Sequence, residues 1–428
     1  MKNTLQAEAL IQKLVAGIDE MVTEQLCTVI QHPRFKALES LWRGLLYMMD
    51  AVPAVAPVRV RLLDMSWAEL SDDLNLSARI QTAVLFRLVN RQELNTLGGH
   101  PFGLLVVDRA ITVEVDEVSG HDDLYTLQLL AELGQESLCP VVMTVAENFL
   151  GTSDSDVWTN PERARRILSS QDFAGWRRLR GLGVSRFLGL AFPNVLLRAP
   201  WQDCYHRILF NEHPVYGMGS DHLWGNGAFA FAGNVLQEFN RIRWFGFLRV
   251  PGERGGALVK KRATVPAAAY LRLTDSLEEF YSGQGFIPLA TGYLSGELAF
   301  FSNCSVHQPE GEGDDLRIIT MLQTTLIGCR FGHYLKMLIR EHIGSYDSAM
   351  DCQRELNTWL QGYTSNVDYA DDSVLASYPL KKSRVTIHGD ERLGIYRCEV
   401  ELQPQYQFDV ITTSLLLKAD TSELQEAG

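Results

Sequence analysis

The 428-residue chain lacks most of the marks by which catalysts, secreted proteins and membrane proteins announce themselves. Its seven cysteines, Cys27, Cys139, Cys204, Cys304, Cys329, Cys352 and Cys398, are scattered, odd in number and contain no CxxC pair, which suits reduced thiols rather than a disulfide framework. No uninterrupted apolar run approaches membrane-spanning length. The opening MKNTLQAEALIQKL mixes polar residues among its apolar ones and makes no secretion signal. HExxH is absent, and neither His333 nor His342 has a second histidine four residues away, so neither reads as a zinc ligand. Positive charge is also in deficit: 39 Lys and Arg face 52 Asp and Glu, a formal net charge of −13. That balance argues against nucleic acid or an anionic membrane as partner. A cytoplasmic, non-membrane protein is expected.

What is present is core. Hydrophobic residues make up 46% and charged residues 21%, as in folded globular chains. The densest stretch is Ser185 to Trp244. SRFLGLAFPNVLLR reads as a buried strand, a turn and a second extended piece; GNGAFAFAGNVLQEF then changes to helical spacing. The small residues there favour tight helix packing over a phosphate loop, because the third glycine and the following acid of a dinucleotide fingerprint are missing. The later PGERGG loop likewise has no Walker lysine and no Ser/Thr in place.

On either side the chain alternates. Residues 5–49 read as two amphipathic helices broken at His32-Pro33, with Trp42 assigned to core. Residues 58–63 alternate like a half-buried strand, and 66–97 are helical with a break near Asn75. FGLLVV, residues 102–107, and PVVMTVA, residues 140–146, are buried strands flanking a helix at 122–133, an α/β unit. Asp108, placed just past a strand end, is read as a capping or loop residue rather than a catalyst. Further strands are expected at 244–250, 267–273, 285–289 and 298–301, and helices at 275–282, 316–343 and 351–363. The last part, with 384–387, 396–402 and 410–417, forms a β-meander whose edge can be extended by a strand from another subunit. The fold class is mixed α/β, in four regions: 1–57 helical, 58–310 α/β core, 311–380 helical and 381–428 C-terminal strands.

Charge is unevenly distributed. Arg163, Arg165, Arg166, Arg177, Arg178, Arg180 and Arg186 form a basic block, and Glu114 to Asp123 an acidic one. Solvated faces are the plain reading; self-association through complementary faces is the sharper one, with Arg163, Arg166, Arg177, Arg178 and Arg180 as the interface candidates.

Several blocks, in order, resemble one family. HPRFKALESLWRGLLYMM, PFGLLVVD, SRFLGLAFPNVLLRAP followed by HLWGNGAFAFA, GFIPLATGYLSGELAFF, RFGHYLKMLIREHIGS and YPLKKSRVTIHGDERLGIYRCEVELQPQYQFDVITTSLLL are similar to the large subunit of the type VI secretion contractile sheath, the TssC/VipB family. The resemblance implies a non-enzymatic building block without a cofactor. Such a subunit pairs with the small sheath subunit (TssB/VipA) and polymerises around an Hcp tube on a baseplate, and the ClpV ATPase recycles it after contraction. It also implies intersubunit strands, at Tyr396, Cys398, Val400, Leu402, Val410, Ile411, Leu415 and Leu417. The chain departs from the family pattern at Asn194, over Asp203 to Gly219, and in a short N-terminal extension that puts an interlocking arm there in doubt; a divergent second-copy subunit fits equally. The acidic Asp368 to Asp372 is a candidate tube-facing surface. Two other readings stay open: a phage-tail or extracellular contractile-particle sheath, and an α/β enzyme using Asp108, His333 or Cys304.

Overall fold

A computed structural model describes residues 2–50, 52, 58–115, 120–205, 208–217, 220, 222–246, 248, 267–292, 297–311, 314–341, 349–365, 378–390, 395–404 and 415–420. Its centre is a five-stranded sheet of β1 (Leu105–Ile111), β2 (Val141–Val145), β3 (Leu188–Phe192), β8 (Ile287–Thr291) and β9 (Leu298–Phe300), in that spatial order. The first four pair in parallel and β9 returns antiparallel on β8. Between β3 and β8 lie β4 (Val195–Arg198), β5 (Gln202–Tyr205), β6 (Ile208–Asn211) and β7 (Leu223–Gly225), where β4 pairs with β7 and β5 with β6.

Strand periodicity divides the core into two layers. Val141, Met143 and Val145 with Leu188, Leu190 and Phe192 face one layer, filled by Leu127, Leu130, Phe149, Trp158, Trp176 and Phe286. The intervening Val142 and Ala191, with Ile287 and Leu289, face the other, filled by Ala228, Phe231, Leu326 and Phe331. A sheet buried on both faces is the parallel α/β arrangement, and it explains strands that read as continuous apolar runs.

The helix Gly227–Ile242 begins because Asn226 accepts a hydrogen bond from the Ala228 N–H at 2.8 Å, an N-cap, while its Nδ2 donates to Asp108 at 3.1 Å. Gly227 is required by space: a Cβ there would sit 2.9 Å from the Pro193 carbonyl oxygen and 3.1 Å from that of Ala191. The glycine-rich stretch therefore seats a helix end against the tip of β3.

Two helices lead the chain, α1 (Lys2–Ile30) and α2 (Pro33–Met49), with His32 capping the second and Pro33 at its first position. Helix Leu322–Glu341 covers the second core layer, and helix Ala349–Gln361 packs on the C-terminal sheet. That sheet is β10 (Leu380–Asp390), β11 (Ile395–Pro404) and β12 (Leu415–Asp420), antiparallel throughout.

Three expectations give way. Residues 58–63 form no strand: Leu62 and Leu63 are exposed, and no other strand pairs with them among the described residues. Trp244, Phe245 and Leu248 are buried in a turn rather than a strand, Trp244 stacking on Phe331 at 4.6 Å between centroids. Asp108 lies inside β1 rather than beyond it, since the strand is displaced toward Ile111. The PGERGG loop, His342 and Asp368 to Asp372 lie outside the described residues.

Candidate intersubunit interface

The C-terminal sheet carries six of the eight residues that the family resemblance implies for strand exchange. Cys398, Val400 and Leu402 on β11 alternate inward and are buried with Leu380 and Val385 of β10 in the second core layer. Burial pushes the Cys398 thiol up to about 12, so it is held as a neutral apolar group. The other face is polar: Arg384 stands opposite Glu401 and Thr386 opposite Glu399. Tyr396 lies on β11, paired with Gly389, and Leu415 and Leu417 lie on β12, paired with Leu402 and Val400. Val410 and Ile411 fall outside the described residues. The sheet's hydrophobic face thus belongs to the core.

The basic block divides. Arg163, Arg166, Arg177 and Arg178 are exposed on two short helices, Pro161–Leu168 and Ala174–Gly181. Arg177 is pinned locally by donating to the Leu168 and Ser170 carbonyls at 2.9 and 2.6 Å. Arg180 is not on that face. It is 6% exposed and donates to the carbonyls of Gly283 at 2.8 Å and Val306 at 3.3 Å, tying its helix to the chain around β8. Burial lowers its pKa to about 10, still well above neutrality. The spacing of arginines on a helix of this length put one inward, and the sequence treated all as surface.

A second surface went unread in the sequence. The sequence reads α1 and α2 as amphipathic helices with Trp42 in the core, yet much of their apolar stripe, Trp42 included, faces outward. Leu10, Ile11 and Leu14 are each 60% exposed and Trp42 57%. Ile18, Met21, Leu38 and Leu46 are exposed with them. Ile11, Val15 and Leu209 of β6 line an apolar groove there. A contiguous apolar surface of this extent is a mark of an interaction site. Helical periodicity located the stripe; it carries no information on whether the cover comes from the same chain.

The inner side of α2 is held by a buried charge cluster. Arg198 of β4 donates through Nε to Glu39 at 2.8 Å and through Nη1 to Glu212 at 2.5 Å. Glu212 also accepts from the Trp201 N–H at 2.9 Å and from Gln31, just past the end of α1. Arg43 reaches Glu39 at 2.7 Å, and both guanidinium groups lie over the Trp201 ring. Burial acts to raise the Glu39 pKa, but hydrogen bonds from Arg198 and Arg43 outweigh it and hold the carboxyl below its ordinary value. For Arg198 burial is likewise outweighed, by Glu212 and Glu39, and its pKa rises. The cluster fixes both N-terminal helices to the β4–β6 region and leaves their outer stripe uncovered.

The residues weighed for catalysis lie in three settings. Asp108 contacts Asn226, with neighbouring protein raising its pKa against that hydrogen bond. His333 donates to the Ser137 carbonyl at 3.4 Å, and burial lowers its pKa to about 4, so it is neutral near pH 7. Cys304 sits 3.1 Å from the Ser282 hydroxyl. Among the described residues no group of three or more His, Cys, Asp or Glu is placed to hold a metal ion, and no helix is long and apolar enough to cross a membrane.

A mixed α/β body with a separate terminal sheet and an uncovered apolar flank is the build of an assembly component. The comparisons identify the kind. Residues 12–307 match the EvpB/VC_A0108 tail sheath N-terminal domain, and residues 312–421 match the tail sheath gpW/gp25-like domain. The chain belongs to this VipB tail sheath family. A curated relative, the type VI secretion system sheath protein TssC1 of Pseudomonas aeruginosa, is 26% identical over 97% of this chain and 87% of its own length. Solved structures with similar folds include one in the anti-feeding prophage baseplate, at TM-score 0.39 and 11% identity over 67% of this chain and 63% of that one. A sheath tail protein of Desulfitobacterium hafniense matches at TM-score 0.37 and 8% identity, over 74% and 56% of the two chains. The sheath complex of an extracellular contractile injection system in its contracted state matches at 0.36 and 11%, over 68% and 69%. The chain therefore spans less than two thirds of the first two of these solved chains, and likeness at this level carries no argument on function.

Proposed function

We propose that this chain is the large structural subunit of a type VI secretion contractile sheath, pairing with a small sheath subunit of the TssB/VipA kind. The observation that carries the reading is the pair of tail sheath matches, which together run in order from residue 12 to residue 421. In this reading the heterodimers polymerise in the cytoplasm around an Hcp tube on a baseplate, contraction ejects the tube, and a ClpV-type ATPase recycles the spent sheath. The chain acts by binding, without a catalytic step of its own.

The surfaces fit that work in different ways. Added strands at the terminal sheet give backbone hydrogen bonds that tether neighbours while linkers allow subunits to move. The α1–α2 stripe supplies apolar area: each Leu or Ile fully buried on assembly contributes about 2 kcal/mol before ordering costs. Arg163, Arg166, Arg177 and Arg178 supply a charged face that can exchange acidic partners between extended and contracted states. The test is co-expression with the small open reading frame beside its gene, followed by electron microscopy of the purified complex. Tubes that vanish on truncation before Tyr396 support the reading; a monodisperse chain that binds no small partner contradicts it.

A further inference from the structure

Burying an arginine is costly unless an acceptor takes its donors or an opposite charge faces it. Among the described residues, the buried and half-buried arginines meet that requirement with one exception. Arg198 has Glu39 and Glu212, Arg43 has Glu39, and Arg109 has Asp123. Arg180 donates to the Gly283 and Val306 carbonyls, and Arg340 to those of Thr96 at 2.9 Å and Leu94 at 2.5 Å. Arg330 donates to the Tyr334 hydroxyl at 2.8 Å and lies over the rings of Phe239, Trp244 and Tyr334. Arg186 is the exception. Its guanidinium has only the ring of the adjacent Phe187, 5.2 Å from the centroid, and no acceptor among the described residues.

Arg186 lies half-buried in the turn Gly183–Phe187 that leads into β3, its carbonyl accepting from the Thr325 hydroxyl at 3.3 Å. The ionisable groups that act on it or feel it are Cys329, on the same helix as Thr325, and His307. Neither brings negative charge. Burial pushes the Cys329 thiol up, and burial, then Arg186 and Arg180, lower the His307 pKa. Burial likewise lowers the Arg186 pKa, with no carboxylate acting against it. Just before it, Gly181 and Gly183 are exposed and have open space where a Cβ would stand, so no side chain shields the approach from that stretch.

We infer that Arg186 is an assembly anchor, left without a counter-charge in the single chain and closed on by a carboxylate side chain of a second copy of this chain in the polymer. This rests on the sheath reading above. One guanidinium fork takes one carboxylate through two parallel N–H···O bonds. A phosphate would draw on further donors, and Arg180 already gives its own to Gly283, Gln284 and Val306. The source is a second copy because this chain carries the surplus: 52 Asp and Glu face 39 Lys and Arg, so copies that meet bring unpaired carboxylates. Arg163, Arg166 and Arg178 are exposed and solvated, and pairing gains them little; Arg186 is already partly stripped of water.

Arg186→Gln in the full chain, purified with the small subunit, tests this beside Arg163→Gln. Two quantities are read: the urea midpoint of the unpolymerised complex and the critical concentration for tubes. For Arg186→Gln the midpoint is expected to equal or exceed the parent's, because an uncompensated half-buried charge has gone, while the critical concentration rises about tenfold or more. Arg186→Lys, which keeps the charge without the fork, should fall between, and Arg163→Gln should shift assembly by no more than about threefold. A lower urea midpoint for Arg186→Gln would place its acceptor within its own chain and overturn the inference. An unchanged critical concentration would overturn it too. Weaker capture of the small subunit by Arg186→Gln would give the carboxylate to that subunit instead of a second copy. If the parent complex forms no tubes, the sheath reading fails and the anchor falls with it.

Discussion

Arg198 joins α2 to the chain after β6. It compensates Glu39 and Glu212, and its own side chain is only 5% exposed. Arg198→Met roughly keeps the volume, removes the cation facing Glu212 and leaves Glu39 with Arg43 alone, so a loss of about 3 kcal/mol is expected, read as a lower denaturant midpoint at pH 7. His333 makes a pH prediction. Its folded pKa lies near 4, below the ordinary 6.5, so the unfolded chain binds more protons between those values. Stability from this group is present above pH 6.5 and falls as pH drops toward 4. His333→Gln should flatten the thermal-midpoint profile over that window; an unchanged slope would mean the group is not held neutral. Neither role was legible in the sequence, because a lone arginine or histidine carries no mark of what folds against it.

At the scale of elements, the sequence was most informative where periodicity and punctuation agreed. His32-Pro33 placed the start of α2, and the switch from period two to helical spacing placed β3 and the helix that Asn226 caps. It misled where pattern lacked a partner. Val58 to Leu63 alternate as a strand does, but no other strand is there to pair with them among the described residues. The apolar run at 244–248 is buried by aromatic stacking in a turn, which alternation cannot distinguish from a strand. Packing between elements is equally silent in sequence. Gly44 of α2 faces Phe229 so closely that a Cβ would stand 2.5 Å from the ring. Gly44→Val is therefore expected to push α2 off the Gly227–Ile242 helix and cost about 1–3 kcal/mol, measurable by urea unfolding.

For the whole molecule, the proposed reading assigns stability and assembly to different surfaces. The two core layers and the Arg198 cluster hold the chain together; much of the α1–α2 stripe and the exposed arginines lie outside them. Paired substitutions should separate the two. Leu14→Lys with Ile18→Lys should leave the unfolding free energy of the chain within about 0.5 kcal/mol of the parent while abolishing polymerisation. Arg177→Glu with Arg178→Glu should impair sheath assembly or contraction, seen as fewer or shorter tubes. The family was legible because its blocks are spread along the chain in order, whereas the interfaces were only partly so: an outward stripe and an inward one have the same period. The most direct measurement of the central claim is electron microscopy of this chain co-expressed with its small partner, beside the same pair truncated before Tyr396. Long hollow tubes from the intact pair and none from the truncated one are predicted; discrete particles from both would contradict the assignment of this chain as a sheath subunit.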